Sequence, residues 1–156
     1  MSLEIERKFL VVDDSWRALG QPVGIRQGYL AREERCVVRV RTAGGRAWLT
    51  VKSRVVGITR HEYEIEIPFE QGEEMLETLC SKPIMEKQRS KIAFAGMTWE
   101  VDEFLGENHG LIVAEVELTS AEQQVTLPPW IGREVTGDPR YYNSNLLLHP
   151  FQQWTH

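Results

Sequence analysis

The sequence predicts a mainly β (α+β) protein built on an antiparallel sheet of about eight strands. Two observations support this prediction. Charged and apolar residues alternate with a period of two along most of the chain, as in strands that bury one face. The alternating runs are joined mostly by short turns, as in antiparallel hairpins.

Eight segments follow the alternation and are predicted to be strands. They cover residues 3–12, 25–31, 35–42, 46–54, 60–67, 84–95, 98–104 and 111–118. Gly44 and Gly45 predict a tight hairpin between the third and fourth strands, because glycine readily adopts the positive φ angles of primed turns. The stretch "FAGMTWEV" around Gly96 predicts a second hairpin.

Four segments depart from the alternation and predict helices. The clearest covers residues 69–82, where apolar residues recur at helical spacing until Pro83 ends the pattern. Shorter helices are expected after the aspartates in "DDSWRAL", from Ser120 before the "LPPW" break, and from Asp138 through "RYYNSNLLL".

Length and composition limit the classes of protein that fit. The 156 residues, 42% of them apolar, suffice for one domain over residues 1–156 but not for two substantial ones. A net charge of -5 argues against nucleic-acid binding by bulk electrostatics. Cys36 and Cys80 lack the spacing of a zinc site or a disulfide framework, and no apolar run suggests a signal or membrane segment. We therefore expect a cytoplasmic protein without a nucleic-acid or membrane partner, and the sequence allows a homodimer.

The charged residues share one face of each predicted strand, and their signs are segregated. Acidic pairs lie on the first, fifth and eighth strands, and basic pairs lie on the third, fourth and sixth. The charged sets are Glu4, Glu6 and Lys8; Arg39 and Arg41; Lys52 and Arg54; Arg60, Glu62, Glu64 and Glu66; Lys87, Arg89 and Lys91; Glu100 and Asp102; and Glu115 and Glu117.

A solvated sheet face would explain any single strand, because antiparallel sheets commonly have one wet side. A solvated face normally mixes its signs, so the segregation favours a different interpretation. If the sheet closes into a barrel, these side chains point into one lumen, where like charges require neutralising ligands. The carboxylates suit a hard divalent cation and the basic pairs suit a polyanion. A polyphosphate with bound metal would satisfy both.

The opening "EIERKF" resembles the ExExK signature of the triphosphate tunnel metalloenzymes, also called the CYTH domain superfamily. Later segments follow in that family's order: "VRVR", "LTVK", "RHEYEIEIP", "EKQRSK", "WEVDEF", "AEVEL" and "EVTGDPRYYNSNL". The resemblance spans nearly the whole chain. It implies an eight-stranded antiparallel closed β-barrel tunnel with a charged lumen and a few outer helices.

The resemblance also implies roles for individual residues. Lys8 and Glu4 would be the catalytic groups. The triphosphate would be bound by Lys8, Arg39, Arg41, Lys52, Lys87 and Arg89. Mg²⁺ or Mn²⁺ would be bound by Glu4, Glu6, Asp102, Glu115 and Glu117. Glu62 and Glu64 would hold a second metal ion or support the basic side chains.

The implied activity is divalent-metal-dependent hydrolysis of inorganic tripolyphosphate to pyrophosphate and phosphate. The alternatives are a nucleoside or thiamine triphosphatase or an adenylyl cyclase of the same family, and a noncatalytic polyphosphate-binding module. Acidic pairs beside Lys8 favour catalysis, because an anion binder gains nothing from carboxylates unless metal binds there. By resemblance, the C-terminal segment would close one end of the tunnel, with Arg140 or Tyr141 facing the substrate. The alternative is ordinary helical packing on the outside of the barrel.

Overall fold

The structure is a computed structural model that describes residues 2–155, with Ser2 described by its backbone alone. The strands are β1 (Ser2–Val11), β2 (Val23–Arg32), β3 (Cys36–Ala43), β4 (Arg46–Ser53), β5 (Thr59–Ile67), β6 (Met85–Phe94), β7 (Met97–Phe104), β8 (Ile112–Glu117) and β9 (Ile131–Glu134). The α-helices are α1 (Phe69–Thr78) and α2 (Asn143–Leu148). Short 3₁₀ turns lie at Ser15–Leu19, Gly106–Asn108, Pro139–Tyr141 and Phe151–Gln153.

Eight of these strands close into an antiparallel barrel, which confirms the predicted architecture. The strand order is β5-β4-β3-β2-β6-β7-β8-β1, and β1 also pairs with β5. Closure depends on β1, which changes partner along its length. Its residues 2–5 lie opposite residues 59–62 of β5, and its residues 6–10 lie opposite residues 113–117 of β8.

The ninth strand was not predicted. β9 pairs with the end of β1, where Phe9 lies opposite Glu134 and Val11 lies opposite Ile131. The approach is close, because a Cβ atom added to Gly132 would lie 2.8 Å from Cγ1 of Val12. β9 therefore extends the sheet at β1 without entering the barrel wall.

Both predicted hairpins form. Gly44 and Gly45 adopt φ angles of 56° and 78° between β3 and β4. Ala95 and Gly96 adopt φ angles of 51° and 78° between β6 and β7. The two consecutive positive φ angles are those of the primed turns whose twist matches neighbouring strands.

The predicted amphipathic helix packs on the outer surface of the barrel. α1 ends at Thr78, shorter than the predicted segment 69–82. It buries Leu76 in a cluster with Val40 and Cys80. Gly72 lies so close to the wall that an added Cβ would be 2.5 Å from the Cβ of Ala47. The helix thus covers β3 and β4 and leaves the lumen free.

A large aromatic cluster covers the outside of β1, β7 and β8. Trp99 lies at its centre, with ring centroids 5.6 Å from Phe9 and 6.1 Å from Trp130. Trp16, from the first 3₁₀ turn, completes this core. These rings pack outside the barrel and do not line its interior.

The helix expected from Ser120 does not form, and that prediction was wrong. The backbone amide and hydroxyl of Thr119 both donate to Oε1 of Gln123, at 2.6 and 2.9 Å, and hold the segment as a turn. Pro128 and Pro129 follow, and proline removes the backbone donors that a helix needs.

The C-terminal helix is interrupted where a continuous one was expected. Tyr142 lies between the 3₁₀ turn and α2 in an extended conformation, with φ -69° and ψ 131°. The side chain of Asp138 accepts from the amide of Arg140 and fixes the turn before it. Leu146 of α2 packs into a second core cluster with Met85 and Phe104. Within residues 2–155, none of the helices is long and apolar enough to cross a membrane.

Candidate active site in the barrel lumen

The barrel encloses a polar cavity of about 830 Å³. Alternate residues of the strands line it, because successive side chains of a strand point to opposite faces. Within the described residues 2–155, nine basic and seven acidic side chains line it, an excess of two positive charges. They are Lys8, Arg39, Arg41, Arg46, Lys52, Arg60, Lys87, Arg89 and Lys91, with Glu4, Glu6, Glu62, Glu64, Glu100, Glu115 and Glu117.

The predicted site residues are brought together around this cavity, with one exception. Asp102 is 1% exposed and does not line it. Arg54, expected on the charged face of the fourth strand, lies beyond the end of β4 and pairs with Glu34 at 3.2 Å on the surface. The alternation of charged residues therefore identified the side chains that face the lumen, but the predicted fourth strand was one residue longer than β4.

An acidic wall is formed by β1, β5 and β8. Lys52 Nζ lies 3.1 Å from Oε2 of Glu4 and 3.2 Å from Oε2 of Glu62. Burial raises the pKa of Glu4, and the charges of Glu62 and Glu115 raise it further against the effect of Lys52. Burial raises the pKa of Glu6 well above its usual range, reinforced by Glu115 and Glu4. These carboxylates are crowded enough to favour a bound cation or proton.

Glu115 and Glu117 differ although they lie on one face of β8. Glu115 Oε1 lies 3.7 Å from Lys8 Nζ. Burial alone would raise the pKa of Glu115, but the positive charges of Lys8 and Arg89, with others nearby, hold it at about 2. Burial raises the pKa of Glu117, as do the charges of Glu4 and Glu62. Burial thus acts in the same direction on both carboxylates, and the neighbouring cations reverse it only at Glu115.

The chemistry of this wall fits a hard divalent cation. Mg²⁺ and Mn²⁺ prefer oxygen ligands, and carboxylates supply both oxygen and negative charge. Across residues 2–155, no group of three or more Asp, Glu, His or Cys side chains is already arranged to hold a metal. The fit therefore rests on the donor set of the acidic wall: Glu4, Glu6, Glu62, Glu115 and Glu117.

Two arginines on β3 face the lumen without a closely paired carboxylate. The side chain of Arg39 is 7% exposed, and its Nη2 lies 3.9 Å from Glu64 and 3.5 Å from the hydroxyl of Thr50. Its Nε has no hydrogen-bond partner among the described residues. Arg41 donates from Nε to Oε1 of Gln27 at 3.0 Å. Burial lowers the pKa of Arg41 to about 9, and the charges of Arg39 and Arg89 lower it as well.

Asp102 joins two further basic residues of the lumen. Its Oδ2 lies 2.8 Å from Lys87 Nζ, and its Oδ1 lies 2.7 Å from Arg89 Nε. Burial alone would raise the pKa of Asp102, but the two cations hold it well below its usual range. Burial lowers the pKa of Lys87 to about 7 even beside this carboxylate. The contacts make Asp102 an anchor for both cations, and its predicted role as a metal ligand stays a prediction.

The C-terminal segment lies against one end of the lumen, but through residues other than those predicted. Arg140 instead pairs with Asp138 at 2.8 Å, and the ring of Tyr141 packs 5.2 Å from that of Trp154. Tyr142 and Asn143 line the cavity in their place.

Both residues contact the basic side chains of the lumen. Lys8 Nζ donates to the carbonyl oxygen of Tyr141 at 3.2 Å and lies 5.8 Å from the ring centroid of Tyr142. Oδ1 of Asn143 accepts from Lys87 Nζ at 2.8 Å.

Sequence reasoning missed the uncharged members of the site. Tyr29 and Trp48 line the cavity, and buried Gln27 lies on the same face of β2 as Tyr29. The register of the strands could have revealed them. Arg41 of β3 lies opposite Gln27 of β2 on one side and opposite Trp48 of β4 on the other. Searching for charges by parity passes over neutral residues in the same rows.

Comparison with known proteins gives a consistent result. A model of the CYTH domain matches residues 2–142. The chain is 51% identical over 154 residues to an inorganic triphosphatase of Acetivibrio thermocellus, covering 99% of each. It is 38% identical over 148 residues to an inorganic triphosphatase of Nitrosomonas europaea, covering 93% of this chain and 97% of that one. A crystal structure of an inorganic triphosphatase aligns with 39% identity and a TM-score of 0.65 over 93% of this chain and 97% of that one.

Proposed function

The chain belongs to the CYTH domain family, and from that premise we propose that it is an inorganic triphosphatase acting inside the barrel lumen. The reaction is hydrolysis of tripolyphosphate to pyrophosphate and phosphate. Two relatives that bear the name inorganic triphosphatase match nearly the full length of the chain. Membership in this family implies a divalent metal requirement.

The observation that carries the proposal is that Arg39 and Arg41 face the lumen without a closely paired carboxylate among the described residues. Arg39 is buried in the lumen and Arg41 is half-buried there. Among the described residues, the only carboxylate within 4.0 Å of either guanidinium group is Glu64, at 3.9 Å from Arg39. A buried cation without a counterion is unfavourable, and the unpaired Nε of Arg39 adds an unsatisfied donor. A phosphate group supplies both the negative charge and the acceptor oxygens.

The remaining residues take roles consistent with phosphoryl transfer. Arg39, Arg41, Lys52, Lys87 and Arg89 would hold the phosphate oxygens, and Lys8 would stabilise the charge that develops on the leaving oxygen. Glu4, Glu6, Glu115 and Glu117 would hold Mg²⁺ or Mn²⁺, with Glu62 and Glu64 supporting a second ion or the basic residues, and Asp102 as a further predicted ligand. When bound, the metal supplies charge neutralisation and a water of lowered pKa.

The C-terminal segment supports a small substrate. Tyr142 and Asn143 line the lumen and contact Lys8 and Lys87, and in this proposal they close one end of the tunnel. A compact linear polyphosphate needs no space beyond the charged rows, whereas a nucleoside or thiamine group has to extend from the opposite end. The proposal includes action in the cytoplasm on this small molecule, without a nucleic-acid or membrane partner.

The test is phosphate release from tripolyphosphate, ATP and thiamine triphosphate, each with Mg²⁺, with Mn²⁺ and with chelator. We expect metal-dependent release chiefly from tripolyphosphate. A preference for either organic triphosphate would overturn the substrate assignment. Metal-dependent binding of tripolyphosphate without any turnover would overturn the assignment of catalysis and indicate a binding module.

A further inference from the structure

We infer that Gln27, together with Asn143, is a positioning residue for the substrate. It holds Arg41 through a neutral hydrogen bond that leaves the charge of Arg41 available to the phosphates, and through Asn143 it fixes the position of Lys87 relative to Arg41. This inference rests on the proposed function. The two residues are uncharged, so their role is to position the basic side chains through hydrogen bonds.

The contacts of Gln27 use both ends of its amide. Gln27 is 0% exposed, and its Oε1 accepts from Nε of Arg41 at 3.0 Å. Its Nε2 donates to Oδ1 of Asn143 at 2.9 Å. The same Asn143 oxygen accepts from Lys87 Nζ at 2.8 Å. Gln27 thus lies between the two cations and fixes the geometry of both, one directly and one through Asn143.

The amide orientation is determined by its neighbours. Arg41 offers only donors, so the oxygen of Gln27 must face it. Oδ1 of Asn143 accepts from Lys87, so the amide nitrogen of Gln27 must face that oxygen. Reversing the amide would place donor against donor and acceptor against acceptor. A buried amide with one satisfied orientation acts as a rigid spacer.

The neutrality of Gln27 distinguishes Arg41 from Arg89. Arg89 is held by the carboxylate of Asp102 through two hydrogen bonds, at 2.7 and 2.9 Å, and its charge is largely matched there. Arg41 is held by an amide, which orients the guanidinium without neutralising it. One arginine is therefore anchored by charge, and the other is positioned with its charge available to an anion.

The experiment compares Gln27→Met, Gln27→Glu and Asn143→Ala with wild type and with Gln88→Met. Gln88 is exposed on the outer face of β6, so its substitution is a matched control. The readouts are kcat and KM for tripolyphosphate, the Kd for tripolyphosphate by calorimetry with chelator present, and thermal unfolding.

We expect Gln27→Met to raise KM and Kd about 3- to 10-fold, the loss that one or two hydrogen bonds produce, with a smaller change in kcat. Gln27→Glu should raise them at least as much although it keeps the size of the side chain, because its carboxylate pairs with Arg41. Asn143→Ala should raise them similarly, and combining it with Gln27→Met should add little, since both act through one network.

A purely structural role would lower the unfolding temperature and leave KM and Kd at the wild-type value. That result, or equal effects of Gln27→Met and Gln88→Met, would overturn the inference. Failure of the proposed function is separate, because it is seen in wild type: absence of tripolyphosphate hydrolysis overturns the activity, while calorimetry still measures whether Gln27 affects anion binding. Wild type that binds no tripolyphosphate overturns both.

Discussion

Arg7 and Lys8 are neighbours on β1, yet their charges have opposite surroundings. Arg7 points outward and makes two hydrogen bonds to the carboxylate of Glu134 on β9, at 2.9 and 2.8 Å. Lys8 points inward and is 9% exposed, and the carboxylate of Glu115 lies 3.7 Å from its Nζ. Two successive residues of β1 thus differ in their pairing: Arg7 forms a closely matched ion pair on the surface, and Lys8 is a buried charge with only a distant carboxylate.

The difference teaches how the two faces of the barrel are used. Outside, arginine and carboxylate meet in two-point contacts such as Arg17 with Glu103, at 2.8 and 3.0 Å, so that the charge of this arginine is matched. Such exposed pairs contribute little stability. Inside, Arg39 is buried and Arg41 is half-buried, and within residues 2–155 only Glu64, at 3.9 Å from Arg39, pairs with either of them, which lowers the stability of the fold. The charges of the lumen therefore lower the stability of the fold and serve ligand binding, whereas the exterior ion pairs do not lower it.

The largest effect is expected from the acidic wall. Glu4→Gln or Glu6→Gln should lower turnover of tripolyphosphate by about 100-fold or more, because each removes a charged metal ligand. The fold should persist, since neither carboxylate has a matched cation to lose except Lys52 at Glu4. Phosphate release and thermal unfolding measure the two quantities. Glu134→Gln on the exterior is the control, and normal activity of the Glu4 and Glu6 variants would remove these residues from the metal site.

The next effect separates binding from stability at one residue. Arg39→Met should raise KM about 10- to 100-fold, because charge-assisted hydrogen bonds to phosphate are lost. It should also raise the free energy of unfolding by about 1 kcal/mol, because a buried charge is removed whose carboxylate partner, Glu64, lies as far away as 3.9 Å. Steady-state kinetics and urea unfolding test the two parts. Arg7→Met, its exterior counterpart, should leave KM unchanged; unchanged KM in both variants would remove Arg39 from the anion site.

A third effect is the stabilisation of the folded protein by tripolyphosphate when chelator prevents turnover. Tripolyphosphate at about 100 times its Kd, with chelator present, should stabilise the wild-type protein by about 2.7 kcal/mol, as ligand linkage requires. Thermal unfolding with and without the anion measures this shift. The shift should be much smaller in Arg39→Met. An equal shift in both proteins would mean that the anion binds elsewhere, for example to exterior basic residues.

The smallest effect is expected on the exterior. The hydrogen bond from Arg7 lowers the pKa of Glu134 below its ordinary value of 4.5. A lowered pKa in the folded state means that the pair contributes stability above pH 4.5 and loses it as pH falls through the folded-state pKa. Arg7→Ala should therefore lower the free energy of unfolding by at most about 1 kcal/mol near neutral pH. Urea unfolding should show that this difference shrinks in acid, and a constant difference would indicate that packing, not charge, is lost.

Much of the fold and lumen followed from a period of two. A strand alternates its faces, so Glu4, Glu6 and Lys8 had to share a side. The closed barrel was implied by the resemblance to the tunnel family, and in a closed barrel that shared side faces the lumen. Gly44, Gly45 and Gly96 marked the two hairpins, because glycine accepts positive φ angles more readily than other residues. These features depend on local sequence, which is why they could be predicted before any contact was known.

The remaining features depend on contacts between distant segments. Tyr142 and Asn143 face the lumen because the chain is extended at Tyr142, between a 3₁₀ turn and α2, and local helical spacing does not show such a break. β9 has four residues and exists through its pairing with β1. Gln27 looks like an ordinary strand residue until its partners, from β3 and α2, are known.

The pairing of β1 also determines which contacts folding has to bring together last. β1 precedes all its partners in the sequence, and they lie at residues 59–62, 113–117 and 131–134. Contacts so distant in sequence close slowly, so we expect closure of the barrel at β1 to be a late step of folding. Until then the alternating charges of "EIERK" protect an unpaired strand edge from pairing with other chains. The charged residues that line the lumen of the folded protein thus also reduce aggregation before the barrel closes.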